Sequence, residues 1–355
     1  LKKTIIIAGA LGVVGRSVLD HFERQSDCEI ITLSRRAPDF ESRARFISAD
    51  LSDAAATEAA LADVSGVTDA VYCALYGRTS GNETWGEAEQ IEGNGRMLEN
   101  FLDAVEAGNP GLRHLSVLQG AKAYGCHLGP VALPGKEAAP RHDHPNFYWR
   151  QEDLIRARQP RADWTWTIFR PQYIVGASIG SPINILSPIG VLAAISRELG
   201  QPLSYPGRTS TVTEATDARL LARAIDWSQS ASTAANEIFN ITNGDLFTFP
   251  DVFAAAARVF GLEMGPPRPA ALARDMSDKE SLWADIVRRH GLTPYTLEQL
   301  VGPSWAFADA AFSSPAPFFE STIKIREAGF ADCIDSIAMF EQWFGDLQSR
   351  NVLPR

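Results

Sequence analysis

Ile5-Ile6-Ile7-Ala8-Gly9-Ala10-Leu11-Gly12-Val13-Val14-Gly15 is the stretch on which the fold turns. A β-branched run leads straight into glycines three residues apart, and a helical pattern opens at the last of them. Glycine permits the tight turn and lets backbone N–H groups reach an anion at a helix N-terminus. The order predicts a first βα unit of a parallel sheet with a phosphate-binding turn inside it. Lys2-Lys3 before an apolar run imitates a secretory signal, but glycines interrupt the run and no convincing cleavage site follows. A buried strand is the expectation.

Outward from this unit, short β-branched runs alternate with helical patterns, the signature of βαβ units. Candidate strands cover 4–8, 29–33, 44–47, 70–73, 114–118 and 165–169, with helices at 13–23, 54–61, 87–105 and 151–157. Two long connections, 77–87 and 125–145, have the length and composition of active-site walls or lids. Beyond Pro171 the pattern changes: 191–199, 213–224, 249–260 and 323–330 read as helices and 237–241 as a strand. The fold class expected is α/β, a Rossmann-type doubly wound parallel sheet with a smaller C-terminal substrate-covering region. The expected division is 1–175 for dinucleotide binding and 176–355 for the substrate region, with about 210–245 returning to the sheet.

The 355 residues are 45% hydrophobic and 21% charged, ordinary for a globular enzyme with a sizeable core. A net charge of -10 argues against nucleic acid or an anionic membrane as the main partner. No apolar stretch reaches the roughly 18 residues of a membrane span. The cysteines, Cys28, Cys73, Cys126 and Cys333, form no CxxC pair and read as reduced thiols of a cytoplasmic protein. Cys126, His127, His142 and His144 lack a recognised ligand spacing, so a polar surface loop is expected there and no metal.

The second strand ends in Ser34-Arg35-Arg36, where NAD-binding folds usually place a carboxylate on the ribose hydroxyl. Paired guanidinium groups suit a 2′-phosphate, which favours NADPH/NADP+ over NADH. Asp50 stands where it can accept from an adenine amino group, a plain helix cap being the alternative. The tyrosine with a lysine four residues later, used by most short-chain dehydrogenases, is absent. The six lysines are 2, 3, 122, 136, 279 and 324, and the fourth residue after Tyr148 is Glu152.

Several stretches together carry a resemblance: Gly9/Gly12/Gly15, Ser34-Arg35-Arg36, Gly120-x-Lys122-x-Tyr124 and Asn146-Phe147-Tyr148-x-x-x-Glu152-Asp153. To these add Arg170-Pro171, Phe239-Asn240-Ile241-Thr242-Asn243-Gly244-Asp245, His290-Gly291-Leu292-Thr293-Pro294 and Trp305-x-Phe307. Over essentially its whole length the chain resembles the progesterone 5β-reductase/iridoid synthase-like enone reductases, a branch of the extended short-chain dehydrogenases/reductases. The resemblance implies Tyr148 as the catalytic tyrosine and Lys122 as the catalytic lysine, supplied from a different element than usual. It implies a nucleotide site formed by Gly9, Leu11, Gly12, Val13, Gly15, Ser34, Arg35, Arg36, Asp50, Leu51, Ala74, Tyr148 and Ile174. Leu75 and Phe307 would face the substrate, with core packing the alternative for Phe307. Leu75 stands where the plant members carry a tryptophan, so a steroid substrate is not implied.

The chemistry agrees with these residue types. Hydride addition to the β-carbon of an enone leaves negative charge on the carbonyl oxygen, and a phenol donor there, strengthened by an ammonium, stabilises the enolate. The expected function is NADPH-dependent reduction of the activated C=C bond of a small-molecule enone. A nucleotide-sugar epimerase or dehydratase and a non-catalytic NADP-sensing regulator are the alternatives, and assembly as a homodimer stays open.

Overall fold

In the computed structural model, which describes residues 3–77 and 85–355, one parallel sheet draws strands from both halves of the chain. Leu1, Lys2 and most of the 77–87 connection, Arg78 included, lie outside the described residues. Among those described, the sheet has seven strands in the order β3-β2-β1-β4-β5-β6-β9. They are β1 (Lys3–Ala8), β2 (Cys28–Ser34), β3 (Arg45–Ser48), β4 (Asp69–Tyr72), β5 (His114–Leu118), β6 (Thr165–Pro171) and β9 (Glu237–Ile241). A separate parallel pair joins β7 (Ile174–Val175) to β8 (Thr216–Asp217).

Alternation along β1 explains why helices cover both faces. Ile6 packs among Leu98, Phe101 and Leu102 of α3 (Ala88–Gly108), on the face that also holds α2 (Ala54–Leu61) and α4 (Phe147–Arg158). Ile5 and Ile7 point the other way, onto Val18 and Phe22 of α1 (Val13–Glu23) and Leu221 of α6 (Ala218–Ser228). All three isoleucines are fully buried, worth about 1.5–3 kcal/mol each by apolar burial. The strand order reverses beside β1, so a crevice opens at the carboxyl ends of β1 and β4.

A further core gathers α5 (Leu186–Glu198), α7 (Phe249–Phe260), α9 (Glu280–His290), α11 (Ser304–Phe312) and α13 (Ser336–Ser349) around Phe253, Phe312, Phe340, Phe344 and Trp283. Shorter helices α8 (Leu272–Asp275), α10 (Leu297–Leu300) and α12 (Ile323–Glu327) connect them. Local signals set the ends. In α7 Thr248 and Asp251 form a capping box, and Gly261 closes the helix in the left-handed conformation.

The structure departs from the sequence expectation in the second half. The helix expected over 213–224 starts only at Ala218, because Thr216 and Asp217 pair with Ile174 and Val175 and the buried Asp217 carboxylate then caps the Arg219 amide at 2.8 Å. The helix expected at 191–199 begins earlier, at Leu186. Asn184 Oδ1 accepts from the Leu186 amide at 2.9 Å, and Pro188 is tolerated in a first turn. Helices α9, α11 and α13 were not anticipated. In α11 the run Ser304–Phe312 is too uniformly apolar and small to show a periodic stripe.

Candidate active site

A cavity of about 1310 Å³ occupies the crevice between the sheet and the C-terminal region. Its floor begins at the glycine turn. Gly9 holds φ +81, and a Cβ there would come within 2.7 Å of the Ala74 amide nitrogen. Gly12 is the N-cap of α1 and makes no side-chain capping bond, so first-turn amides are left to a ligand. A Cβ on Gly12 would meet only the Gly9 carbonyl oxygen, at 3.4 Å, and Leu11 and Val13 flank it on the cavity wall. This is the cradle that a pyrophosphate fits. Gly15 does not reach the cavity; a Cβ there would overlap the Gly9 carbonyl oxygen, so its part is close approach of helix to turn.

Ser34, Arg35 and Arg36 line the cavity past β2, both arginines exposed, and the strand end carries no carboxylate. Asp50 and Leu51 line the same end. Asp50 Oδ1 accepts from the Ser52 hydroxyl at 2.7 Å and the Ser52 amide at 3.0 Å. Those bonds, and more weakly the Arg35 charge, hold its carboxyl below the usual range. The alternative reading of Asp50 as a helix cap is corrected: Asp53 caps α2, accepting from Ala56 N at 3.0 Å. Ala74 and Ile174 complete the wall on either side of the turn. The donor set and its shape fit a dinucleotide.

The other end of the cavity is built around Asn146. Its Oδ1 caps α4 by accepting from the Tyr148 amide at 3.1 Å and also receives the Trp85 indole N–H at 3.3 Å. Its Nδ2 donates to the Lys122 carbonyl oxygen at 3.3 Å, which ties α4 to the 3₁₀ turn Ala121–Tyr124 that follows β5. Trp85 is the meeting surface. The Lys122 ammonium lies 3.7 Å above its ring, and the Tyr148 ring meets it edge-on at 5.6 Å. Both side chains line the cavity. Gly120 gives the phenol room, since a Cβ there would stand 3.3 Å from Tyr148 Oη.

Burial sets the electrostatics. It pushes the Tyr148 phenol well above its ordinary range, opposed by the Arg170 guanidinium and reinforced by Cys126 and Glu320. It lowers Lys122 to about 8, so the ammonium sits near its titration point in neutral solution. Cys126, on the same wall, is pushed up to about 12 and stays a thiol.

Several placements differ from the sequence reading. Cys126 and His127 line the cavity, whereas His142 and His144 are half-buried and lie outside its lining, in the polar loop expected there. His142 Nδ1 and His144 Nδ1 are 2.9 Å apart, the His127 and His144 rings meet at 5.1 Å, and burial pushes His127 down to about 4. Among the described residues no group of three or more His, Cys, Asp or Glu is arranged to hold a metal ion. Leu75 sits half-exposed at the cavity mouth. Phe307 lines the cavity and also packs on the C-terminal core, 6.0 Å from the Tyr173 ring. Trp85 was missed: it stands at the end of a polar, glycine-rich connection where nothing marks a buried aromatic. Tyr173, at φ +31 on the cavity wall, carries backbone strain no sequence signal announces.

Comparison with known proteins places the chain among relatives. A PRISE-like Rossmann-fold domain model matches residues 48–293. An (S)-8-oxocitronellyl enol synthase of Camptotheca acuminata is 31% identical, covering 93% of this chain and 87% of its own. Another from Nepeta cataria is 30% identical over 99% and 94%. A 3-oxo-Delta(4,5)-steroid 5-beta-reductase of Arabidopsis thaliana is 30% identical over 99% and 94%. Among solved structures, a UDP-glucose 4-epimerase of Thermotoga maritima superposes with a TM-score of 0.69 at 14% identity, covering 98% and 99% of the two chains. The Thermus thermophilus UDP-glucose 4-epimerase, solved with NAD, gives 0.67 at 15% over 97% and 99%. At such identities these two show a shared fold.

Proposed function

The chain belongs to the PRISE-like Rossmann-fold family, and from that membership we propose that it reduces the activated C=C bond of an enone, a 1,4-conjugated carbonyl compound, with NADPH. The named relatives, an enol synthase group and a steroid 5-beta-reductase, support this class of substrate. One observation carries the assignment of the site. Lys122 and Tyr148, from separate segments, pack on the same tryptophan in the wall of the cavity that the glycine turn opens.

In this reading Gly9, Leu11, Gly12 and Val13 hold the pyrophosphate, with Gly15 letting the helix close on the turn. Ser34, Arg35 and Arg36 hold the 2′-phosphate, and Asp50 and Leu51 bound the adenine. Ala74, Ile174 and Tyr148 border the nicotinamide end. Bound there, NADPH supplies a hydride to the β-carbon of the enone. Tyr148 holds its proton at Oη until the carbonyl oxygen gains charge, then donates to that oxygen. Lys122 keeps a positive charge beside the donor, and Trp85 keeps that ammonium out of bulk water. Leu75 and Phe307 bound the substrate. Free cysteines suit the reducing cytoplasm, and no helix among the described residues is long and apolar enough to cross a membrane. The division at 175, with the second half forming the substrate cover, belongs to the same reading.

The test is spectrophotometric. Purified protein with NADPH and a panel of cyclic and linear enones should consume the reduced cofactor, and Tyr148→Phe should lower kcat by about 10²–10³. Tight NADPH binding without turnover on any enone would favour a sensor. Conversion of a nucleotide sugar without net oxidation would favour an epimerase.

A further inference from the structure

The fourth position after Tyr148 is Glu152, a carboxylate only 2% exposed. A lone charge there would cost several kcal/mol. Instead Arg170 at the end of β6 donates from Nη2 to Glu152 Oε1 at 2.8 Å, and Arg141 reaches Oε2 at 3.0 Å. Arg170 is itself 5% exposed, and each of its other two nitrogens makes a hydrogen bond. Its Nε donates to Gln119 Oε1 at 3.2 Å and its Nη1 to Tyr124 Oη at 3.3 Å. Gln119 Nε2 in turn donates to the Tyr148 carbonyl oxygen at 3.2 Å, and the next residue, Gly120, lies against the Tyr148 hydroxyl. A single guanidinium therefore fixes the segments that touch both ends of Tyr148. It is also a charge that favours the ionised phenol, against burial, Cys126 and Glu320.

We propose that Arg170, anchored by Glu152, is a positioning residue for the reaction: a buried fixed cation that holds Tyr148 in register and stabilises the charge left on its oxygen after proton donation. The helix position that ordinary short-chain dehydrogenases give to a lysine is used here to grip a cation arriving from the sheet. The inference rests on the assignment of Tyr148 as proton donor and adds a second, non-titrating source of positive charge beside Lys122. Unlike Lys122, an arginine stays charged at any working pH.

Charge and packing can be told apart by three variants assayed with NADPH and a cyclic enone. Arg170→Gln, and the charge-neutral double variant Glu152→Gln with Arg170→Gln, should each lose on the order of tenfold in kcat with KM for NADPH within about twofold. Arg170→Lys keeps the charge while losing the three-way fork, and should recover most of the lost turnover. Equal losses in the lysine and glutamine variants, or loss of NADPH binding in all three, would assign Arg170 a packing role and overturn the proposal. So would near-native kcat in the double variant. Tyr148→Phe, run alongside, separates the two levels: full activity there sinks the assignment beneath, whereas its loss with unaffected Arg170 variants sinks the Arg170 proposal alone.

Discussion

In the proposed reaction, Lys122 is where the chemistry meets pH most directly. The ammonium is desolvated and its pKa falls to about 8, while the Trp85 face stabilises the charge it keeps. If the charged form assists Tyr148, kcat/KM for NADPH, which reports the free enzyme, should be level below neutrality and fall as pH rises through about 8. A flat profile from pH 6.5 to 9.5 would remove Lys122 from the reaction. At the opposite end of the cavity, Arg35 and Arg36 leave exposed guanidinium groups where an acidic residue would discriminate against phosphate. Charge-assisted bonds of about 1.5–3 kcal/mol predict that Arg35→Ala and Arg36→Ala each raise KM for NADPH roughly ten- to hundredfold and leave NADH use little changed. Parallel losses with both cofactors would refute the 2′-phosphate assignment. Arg35 and Arg36 could be picked out in the sequence because they follow a strand end, whereas Lys122 was singled out by the family resemblance.

At the scale of elements, the joint between α4 and the turn after β5 matters more than either alone. Asn146 caps the helix that carries Tyr148 and holds the carbonyl of Lys122 and the indole of Trp85. Asn146→Ala should cost about 1 kcal/mol of stability as a lost cap, seen as a lower unfolding midpoint. It should also lower kcat by more than that stability loss explains, because both of the proposed reacting groups lose their common support. A variant with the stability loss and native kcat would show that the joint only holds the fold. The helix was expected only from Gln151, whereas it starts four residues earlier, at Phe147, capped by Asn146. The partners were not readable either. Trp85 is 61 residues from Asn146 and Arg170 is 18 from Glu152, and no local periodicity encodes such pairs.

Across the whole molecule, the first half reads well because β1, β2, β4, β5 and β6 are largely buried on both faces, with helices covering each side of the sheet. The second half reads less well. Its core gathers aromatic and small residues from several helices and loops, Leu203 and Trp343 among them, so the burial pattern belongs to the assembly and not to any one segment. That assembly supplies the far wall of the cavity through Phe249 and Phe307, facing the sheet that supplies the polar floor. An apolar lid over a polar floor suits a substrate with a carbonyl at one end of a hydrocarbon frame.

The deciding point is which carbon receives the hydride. Reaction of a cyclic enone with NADPH deuterated at the transferring position, followed by NMR of the product, reads this directly. The expected product is a saturated ketone with deuterium on the β-carbon. Deuterium on the former carbonyl carbon of an allylic alcohol would contradict the proposed function.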